Sequence, residues 1–579
     1  MPRCTPAPEL CDGRDNNCNG GTDDGAVATF YFDGDGDGHG GATDAVETCP
    51  MPPGYSPVAD DCDDADPAFY PAATEVCDDG LDQDCDGDDR LTASFFIDGD
   101  GDGDGDPSLG TPGCYPPAGS VADGSDCDDA DPTIYPAALE QCLDGIDQDC
   151  DGSDTSMCTL LFADAVYTGE VAGDGAGWAL AGAGDLNGDG YDDLLVGSFG
   201  NDSASDGAGA AYLVLGSALP VSEGLGGADA IYTGQPGDDA GRGLGRVGDV
   251  DGDGYDDVLI GACGNADGAA YLVLGGPSPG SLGLAGADAE YTGTSTLDWI
   301  GCSLQNAGGD VNGDGFDDML FGAYPSCRPA MAVVFGGPAL VSMSLGLADV
   351  TYDYPHPSGP SFPVVRVTGD VDADGFDDIL VGAEVSAYLL LGGGALAGGD
   401  LADADVIYTG ETMGAVSGAG DVNSDGYADL LIGQPLSDDG GLSAGAAFLV
   451  LGAPSLPGGA LSTADAKYTG VTTQDIAGHT LAGAGDIDAD GYDDIVIGAY
   501  RNAVYAGATY VVLGGSAPAS SSLGDAYLTY SGAAAQDCSA LGLAAAGDVN
   551  ADGHDDVFIG AEGNDAAGDG AGAAYLILE

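Results

Sequence analysis

An all-β fold is predicted here, a seven-bladed β-propeller preceded by a loop-rich, disulfide-stapled calcium-binding region, and three features of the sequence predict it. The first is glycine, 104 of 579 residues, which costs about 1 kcal/mol relative to alanine inside a helix and so argues against long helices. The second is a set of short apolar runs bounded by Gly, Asp and Asn, such as Leu194-Leu195-Val196-Gly197 and Ala211-Tyr212-Leu213-Val214-Leu215-Gly216. They are too short for helices and read as buried strands joined by turns. The third is repetition: a Gly-Asp phrase followed by alternating Asp or Asn occurs seven times, from Asp185, Asp249, Asp310, Asp370, Asp421, Asp486 and Asp548. Successive copies lie between 51 residues (Asp370 to Asp421) and 65 residues (Asp421 to Asp486) apart.

Each repeat offers four strands, the last of them typified by Ala230-Ile231-Tyr232-Thr233-Gly234, and four strands per repeat make a propeller blade. The final repeat stops after its third strand, at Tyr575-Leu576-Ile577-Leu578-Glu579. Residues 163–169, Ala-Asp-Ala-Val-Tyr-Thr-Gly, stand before the first repeat and match the missing strand. They are expected to close the ring and so limit exposed edges. Two domains follow: residues 1–158, and a propeller over residues 159–579.

The repeated loop carries the chemistry. Oxygen side chains stand at positions 1, 3, 5 and 9, with glycine at position 6 for the tight turn, a pattern suited to calcium with its six to eight oxygen ligands. The position-7 backbone carbonyl adds a further oxygen. The ligand sets are Asp185, Asn187, Asp189, Tyr191 and Asp193; Asp249, Asp251, Asp253, Tyr255 and Asp257; Asp310, Asn312, Asp314, Phe316 and Asp318; and Asp370, Asp372, Asp374, Phe376 and Asp378. Three more sets are Asp421, Asn423, Asp425, Tyr427 and Asp429; Asp486, Asp488, Asp490, Tyr492 and Asp494; and Asp548, Asn550, Asp552, His554 and Asp556. An EF-hand opens the same way but needs a bidentate Glu at position 12. Here that position is Val196, Ile260, Phe321, Val381, Ile432, Ile497 or Ile559, so the loop runs into a buried strand instead.

With these loops, and the apolar-Gly-Ala phrases after them such as Ile260-Gly261-Ala262, the chain resembles the FG-GAP repeats of the integrin alpha-subunit propeller from about residue 160 onward. The resemblance implies seven blades, calcium between the first and second strands on the lower face, and ligand recognition on the upper face. Departures from the family pattern include Tyr352-Asp353-Tyr354 in the fourth-strand phrase and Ala428 beside Asp429. Neither removes a ligand.

Residues 1–158 hold 12 of the 16 cysteines. A Cys-Asp phrase occurs at Cys11 to Cys18, Cys77 to Cys85 and Cys142 to Cys150, and Asp61-Cys62-Asp63-Asp64-Ala65-Asp66-Pro67 is repeated from Asp126 to Pro132. This region resembles the MopE-type metal-binding repeats of bacterial surface and secreted proteins. Its oxygens also fall at calcium spacing: Asp15, Asn17, Asn19 and Asp23; Asp82, Asp84 and Asp86; and Asp147, Asp149 and Asp151. Two further loops have the same spacing, Asp33, Asp35 and Asp37, and Asp98, Asp100 and Asp102 through Asp106. Cysteine within each Cys-Asp loop suggests bridges Cys11–Cys18, Cys77–Cys85 and Cys142–Cys150, with Cys49–Cys62 and Cys114–Cys127 as further pairs. Cys263 is expected to pair with Cys302, Cys327 being the alternative, and Cys538 to stay unpaired. Zinc is disfavoured by the absence of paired Cys or His spacings. An imidazole-rich copper site is disfavoured because His39 is the only histidine of the region.

The chain carries 99 acidic against 9 basic residues, a net charge of −90, so nucleic acid is an improbable partner. The 44% hydrophobic content excludes a disordered chain. The acids are 88 Asp and 11 Glu, and aspartate is the residue of turns and hard-cation sites. Repeated cysteines point to an oxidising compartment. The start, Met1-Pro2-Arg3-Cys4, has no apolar signal core, and no run of 18 apolar residues could span a membrane. The expectation is a mature or truncated, monomeric form of a secreted or surface protein. Dispersed histidines and the absence of a Gly-x-Ser-x-Gly elbow argue against an enzyme. The expected function is calcium binding, at least seven ions, on a scaffold for adhesion or recognition of an extracellular protein or carbohydrate. Exposed aromatics and arginines are typical anchors, and the upper-face candidates are Trp299, Tyr324, Arg328, Tyr354, His356, Phe362, Arg501 and Tyr505. The rival reading is a passive structural or calcium-buffering surface protein, and a glycan-active enzyme ranks lower.

Overall fold

The computed structural model describes residues 7–578 except 9, 12–13, 88, 90–92, 114, 137, 139–145, 151, 153–157, 266, 295–298, 305–306, 324–329 and 355–363. Among the described residues the chain is all-β, and its one α-helix is the four-residue Asn502–Tyr505. Two compact units emerge: Met1–Leu139 with Gly145–Asp154, and Glu140–Asp144 with Thr155–Glu579.

The first unit contains two three-stranded sheets. Ala28–Phe32 lies between Ala45–Thr48 and Tyr55–Ser56, and Ala93–Ile97 lies between Thr111–Gly113 and Ser120–Val121. Its described apolar core is small, with Phe30, Ala73, Ile134 and Ala138 buried, which is the situation in which cross-links replace a core. Between described cysteines of this unit the bridges are Cys11–Cys49, Cys62–Cys85 and Cys127–Cys150. This corrects the expected Cys11–Cys18, Cys77–Cys85, Cys142–Cys150, Cys49–Cys62 and Cys114–Cys127 pairs. The reason is geometric. Cys85 and Cys150 sit in left-handed backbone, φ 57° and 58°, and their Sγ atoms face the Asp-Cys-Asp-Asp phrase 23 residues upstream, where the N–H groups of Cys62 and Cys127 point at them. Cys114 and Cys142 lie outside the described residues. In the second unit Cys263 pairs with Cys302, and Cys538 is a free thiol; Cys327 lies outside the described residues.

Among its described residues the second unit contains seven five-stranded sheets. In the first, Leu180–Gly184, Asp193–Ser198, Ala210–Val214 and Ala230–Thr233 follow one another as antiparallel neighbours. The fifth strand, which sequence reasoning did not count, is Leu282–Gly283, parallel to Ala230–Thr233 and borrowed from the connection in the next repeat. Every sheet takes its outermost strand in this way, because the connecting segment must pass along an open edge and covers it. Ala165–Thr168 pairs with Ala573–Ile577 and supplies the fourth strand of the seventh sheet, joining the beginning of the repeat region to its end. The innermost strands neighbour one another in a cycle: Leu180–Gly184, Ala240–Gly248, Gly308–Gly309, Val364–Gly369, Val416–Gly420, Thr480–Gly485, Leu543–Gly547 and back to the first. Second and third strands are buried nearly throughout, as in Asp193–Ser198 and Ala210–Val214. The fourth strands alternate, and their tyrosines Tyr167, Tyr232 and Tyr291 are at most 1% exposed.

The Gly-Asp phrase has a structural cause at the inner strand's end. Gly184, Gly248, Gly420, Gly485 and Gly547 have φ between 68° and 78°, a conformation that side chains other than glycine rarely adopt. A Cβ on any of these five would also overlap a carboxylate oxygen from another repeat, Asp256, Asp317, Asp493, Asp555 and Asp192 respectively. Replacement of Gly248 by alanine is therefore expected to cost about 2 kcal/mol or more, combining a left-handed backbone with overlap onto Asp317. Denaturant unfolding at fixed calcium would measure it, and a change under about 0.5 kcal/mol would show that the contact yields freely.

Candidate metal centre

Each acidic loop of the second unit is built from backbone amides. In residues 185–193, Asp185 Oδ1 accepts the N–H groups of Gly188 and Asp189 at 2.7 and 3.0 Å, and its Oδ2 accepts that of Gly190 at 2.9 Å. Asn187 Oδ1 accepts the Asp189 N–H at 2.8 Å, and Asp189 Oδ1 accepts the Tyr191 N–H at 3.1 Å. The bonds from the fifth- and sixth-position N–H groups recur at Asp249, Asp310, Asp370, Asp421, Asp486 and Asp548. In the second loop, oxygens of Asp249, Asp251 and Asp257 lie within 4.8 Å of one another. First, third and ninth positions of this loop thus converge in space as well as in sequence. The aromatic residues and His554 at position 7 donate their N–H to the fifth-position carboxylate. The donor set, carboxylate and amide oxygen, suits a hard cation such as calcium.

The ninth-position aspartates are fully buried. Asp193 accepts from Leu186 N–H and from Gly216 N–H, pinning the loop to the start of its strand and to the end of the third strand. Asp257, Asp318, Asp378, Asp429 and Asp494 make the same pair of bonds. Burial pushes these six carboxyls up to about 7. The backbone donors oppose that rise without overcoming it.

The eighth position, absent from the sequence-derived ligand sets, reaches another repeat. Asp256 Oδ2 accepts the Asp185 N–H at 2.9 Å while the Asp256 N–H donates to the Asp185 carbonyl. Asp317, Asp377, Asp493 and Asp555 grip Asp249, Asp310, Asp421 and Asp486 in the same two-pronged way. Asp192 grips Asp548, which returns the chain of bonds to its start. Ala428 stands where the seventh carboxylate would be and keeps only the backbone bond to Asp370. The ring of carboxylates meets little positive charge: Arg246 pairs with Asp256 at 3.2 Å.

In the first unit Asp15 organises its loop through Asn19 and Gly20, and Asp24 accepts the side-chain amides of Asn17 and Asn19. Asp24 was not anticipated beside Asp23. Asp82 and Asp84 are joined by Glu75, another acid that sequence spacing missed because it lies upstream of the phrase. Asp86 N–H donates to both Asp82 and Asp84. Asp147 accepts the Gly152 N–H beside Asp149; Asp151 lies outside the described residues. Oxygens of Asp33, Asp35 and Asp37 converge, as do those of Asp98 and Asp100 with Asp129 and those of Asp100 and Asp102 with Asp126. Asp106 instead caps the short 3-10 turn Pro107–Leu109 by accepting the Ser108 N–H, and the Ser108 side chain, followed by that N–H, holds its carboxyl below the ordinary value.

At the strand ends opposite the acidic loops, Trp299 is 46% exposed. Arg501 is exposed and lies over Tyr500 and Tyr505, 5.4 and 5.6 Å from their ring centres. Tyr354 is not a surface anchor: it is 5% exposed and packs edge-on against Tyr388 in the core. The break it makes in the Tyr-Thr-Gly phrase fills an interior position. Tyr324, Arg328, His356 and Phe362 lie outside the described residues. A second aromatic group, unmarked in the sequence, places Arg242 over Trp178 and Phe199 at 5.7 and 5.1 Å.

Two outcomes follow for the ion-free protein. The six buried carboxyls near 7 stand above the unfolded aspartate value of about 3.9, so the stability they contribute is complete below about pH 4 and is lost as pH rises through about 7. The melting temperature in chelator is expected to fall between about pH 5 and pH 8; a rise would mean that the backbone donors outweigh burial. Asp256→Ala is expected to cost about 1–3 kcal/mol by leaving the Asp185 N–H unpaired, whereas Ala428→Asp should gain about 0.5–1.5 kcal/mol, both read by chemical denaturation.

Comparison with known proteins agrees with this architecture. Residues 6–24, 61–89 and 126–154 match the Cu-binding MopE metal-binding motif, and residues 176–214, 413–455 and 477–512 match the FG-GAP repeat. Integrin alpha pat-2 of Caenorhabditis briggsae is 32% identical over 175 residues, covering 25% of this chain and 13% of that protein. Integrin alpha-PS2 of Drosophila melanogaster is 27% identical over 215 residues, covering 34% of this chain and 15% of that protein. The chain thus spans a small part of these relatives' length. The V. cholerae biofilm matrix protein Bap1 overlaps 49% of this chain and 38% of its own at 15% identity, with a TM-score of 0.23, below the level at which a common fold follows. Three segments of the chain thus match the FG-GAP repeat, three segments ahead of them match the MopE metal-binding motif, and part of the chain is similar to integrin alpha subunits.

Proposed function

We propose that residues 159–579 form a seven-bladed β-propeller whose acidic loops each hold a calcium ion, and that the opposite face recognises an extracellular protein or carbohydrate. Residues 1–158 form a calcium-binding, disulfide-stapled domain ahead of it. The observation that carries the reading is the sevenfold recurrence of one loop, with oxygen side chains at the first, third, fifth and ninth positions, no basic residue among them and the same hydrogen bond from the sixth-position glycine N–H to the first aspartate. Three or four carboxylates drawn together repel one another, and a divalent ion is the simplest group to offset that repulsion. Calcium is favoured over magnesium by the number of carboxylates, since magnesium keeps several waters. The disulfides, and the relation to integrin alpha subunits, favour a secreted or surface location. No helix among the described residues is long and apolar enough to cross a membrane. A non-enzymatic, monomeric scaffold is the fitting form of this reading.

The burial of Tyr354 favours a second reading, a calcium-dependent structural protein without a specific ligand, by removing one surface anchor. Calcium counted by elemental analysis after dialysis should reach at least seven ions per chain, and a chelator should lower the melting temperature sharply. Few ions and no chelator effect would overturn the calcium reading. On protein and glycan arrays, Trp299→Ala and Arg501→Ala should weaken any bound ligand by about tenfold, roughly 1.4 kcal/mol, with calcium content unchanged. An array with no ligand would favour the structural reading.

A further inference from the structure

The duplicated Asp-Cys-Asp-Asp phrase of the first unit carries an acid that the loop spacing does not identify. Asp126 is 1% exposed and Asp61 9% exposed, although neither stands within an Asp-x-Asp-x-Asp loop. Asp126 Oδ1 accepts the Asp128 N–H at 2.8 Å, and Asp61 Oδ1 accepts the Asp63 N–H at 2.8 Å. The other oxygen of each, Oδ2, is buried without a hydrogen-bond partner. Two aspartates of each neighbouring loop show the same division. Asp100 and Asp102 each commit Oδ1 to the N–H two residues ahead, and Asp35 and Asp37 do likewise. Their Oδ2 atoms are again buried and bare.

Ligand oxygens of Asp100, Asp102 and Asp126 lie within 4.8 Å of one another. Three bare, desolvated carboxylate oxygens at one point are costly unless a cation occupies it. The bare oxygens recur with one offset, Asp35 to Asp100 and Asp61 to Asp126 both being 65 residues, and Asp35 and Asp37 act on Asp61 as neighbouring like charges. The phrase is docked onto its loop by further contacts. Asp64 Oδ1 accepts the Gly34 N–H and Asp129 Oδ1 accepts the Gly99 N–H, at 2.9 and 2.7 Å. A Cβ on Gly34 or Gly99 would overlap the backbone of Asp64 or Asp129. The Cys62–Cys85 and Cys127–Cys150 bridges hold the residue next to each buried acid.

We infer that the first unit contains two composite sites for a hard divalent cation, calcium by its oxygen-only donor set, formed by Asp35, Asp37 and Asp61 and by Asp100, Asp102 and Asp126. Each site closes a loop with an acid contributed by the Asp-Cys-Asp-Asp phrase that follows it, not with the loop's own ninth position, so Asp106 is not a ligand. This rests on the proposed calcium reading of the first unit and replaces its ligand set there.

The full chain, titrated with calcium by calorimetry and counted by elemental analysis, tests it. Asp126→Asn and Asp61→Asn are each expected to remove one bound calcium or weaken one site at least tenfold, while Asp106→Asn changes nothing. The double variant Asp61→Asn with Asp126→Asn should melt higher than the parent in chelator, because bare charge has been removed, and lower than the parent in excess calcium. Lower melting in both conditions would show a purely structural role and overturn the inference. So would an unchanged calcium count, or a loss seen with Asp106→Asn instead. Calcium lost on Asp185→Asn but not on Asp126→Asn would leave the repeat loops as calcium sites and remove these two. The converse would keep these two and remove the repeat loops.

Discussion

Unneutralised negative charge governs this molecule. With 9 basic residues against 99 acids, its carboxylates cannot be paired with side chains, and the backbone N–H group takes that part. Asp185 accepts three amides from its own turn, and Asp193 accepts two from strand ends on either side. Amide dipoles of this kind hold an anion in place without cancelling it. The loops are therefore closed and oriented while remaining strongly attractive to a cation, which is the condition of a preorganised metal site.

The same bond type joins the repeats. Two adjacent aspartates at the end of every loop but one face in opposite directions. Asp257 turns inward to its own loop and strand, and Asp256 turns to the neighbouring repeat and sits on Gly184. The glycine before each loop is thus required by a residue tens of positions away, and the Gly-Asp and Asp-Asp phrases are two halves of one joint. Because Asp192 completes the series on Asp548, the acidic loops share a common framework. Ala428 leaves that framework with one seam held by backbone alone.

The first unit solves the same problem with a smaller core. Disulfides tie each Asp-Cys-Asp-Asp phrase to the Cys-Asp loop downstream, and the buried acids Asp61 and Asp126 lie beside those ties. Covalent stapling offsets the cost of gathering acids where apolar burial is scarce. In the second unit the strands bury Leu194, Leu195, Val196 and their counterparts completely, so the repeats rely on packing, and the Cys263–Cys302 bridge is local.

Strand identity, sevenfold repetition and the first, third, fifth and ninth positions of the loops are local properties, because alternation of Asp with a glycine turn and short apolar runs dictate backbone conformation within a few residues. Residues 163–169 could be matched to the last repeat for the same reason, since a strand carries its pattern wherever it pairs. Long-range choices were not legible. Which cysteine meets Cys62, whether Tyr354 faces solvent or Tyr388, that Asp256 and not a loop neighbour holds Asp185, and that Glu75, Asp61 and Asp126 join acids far from them all depend on segments brought together by folding. The amino-acid sequence by itself determined the elements and the chemistry of each loop; the tertiary structure decided the partners, because burial and hydrogen bonding between distant segments leave no spacing signal in the chain.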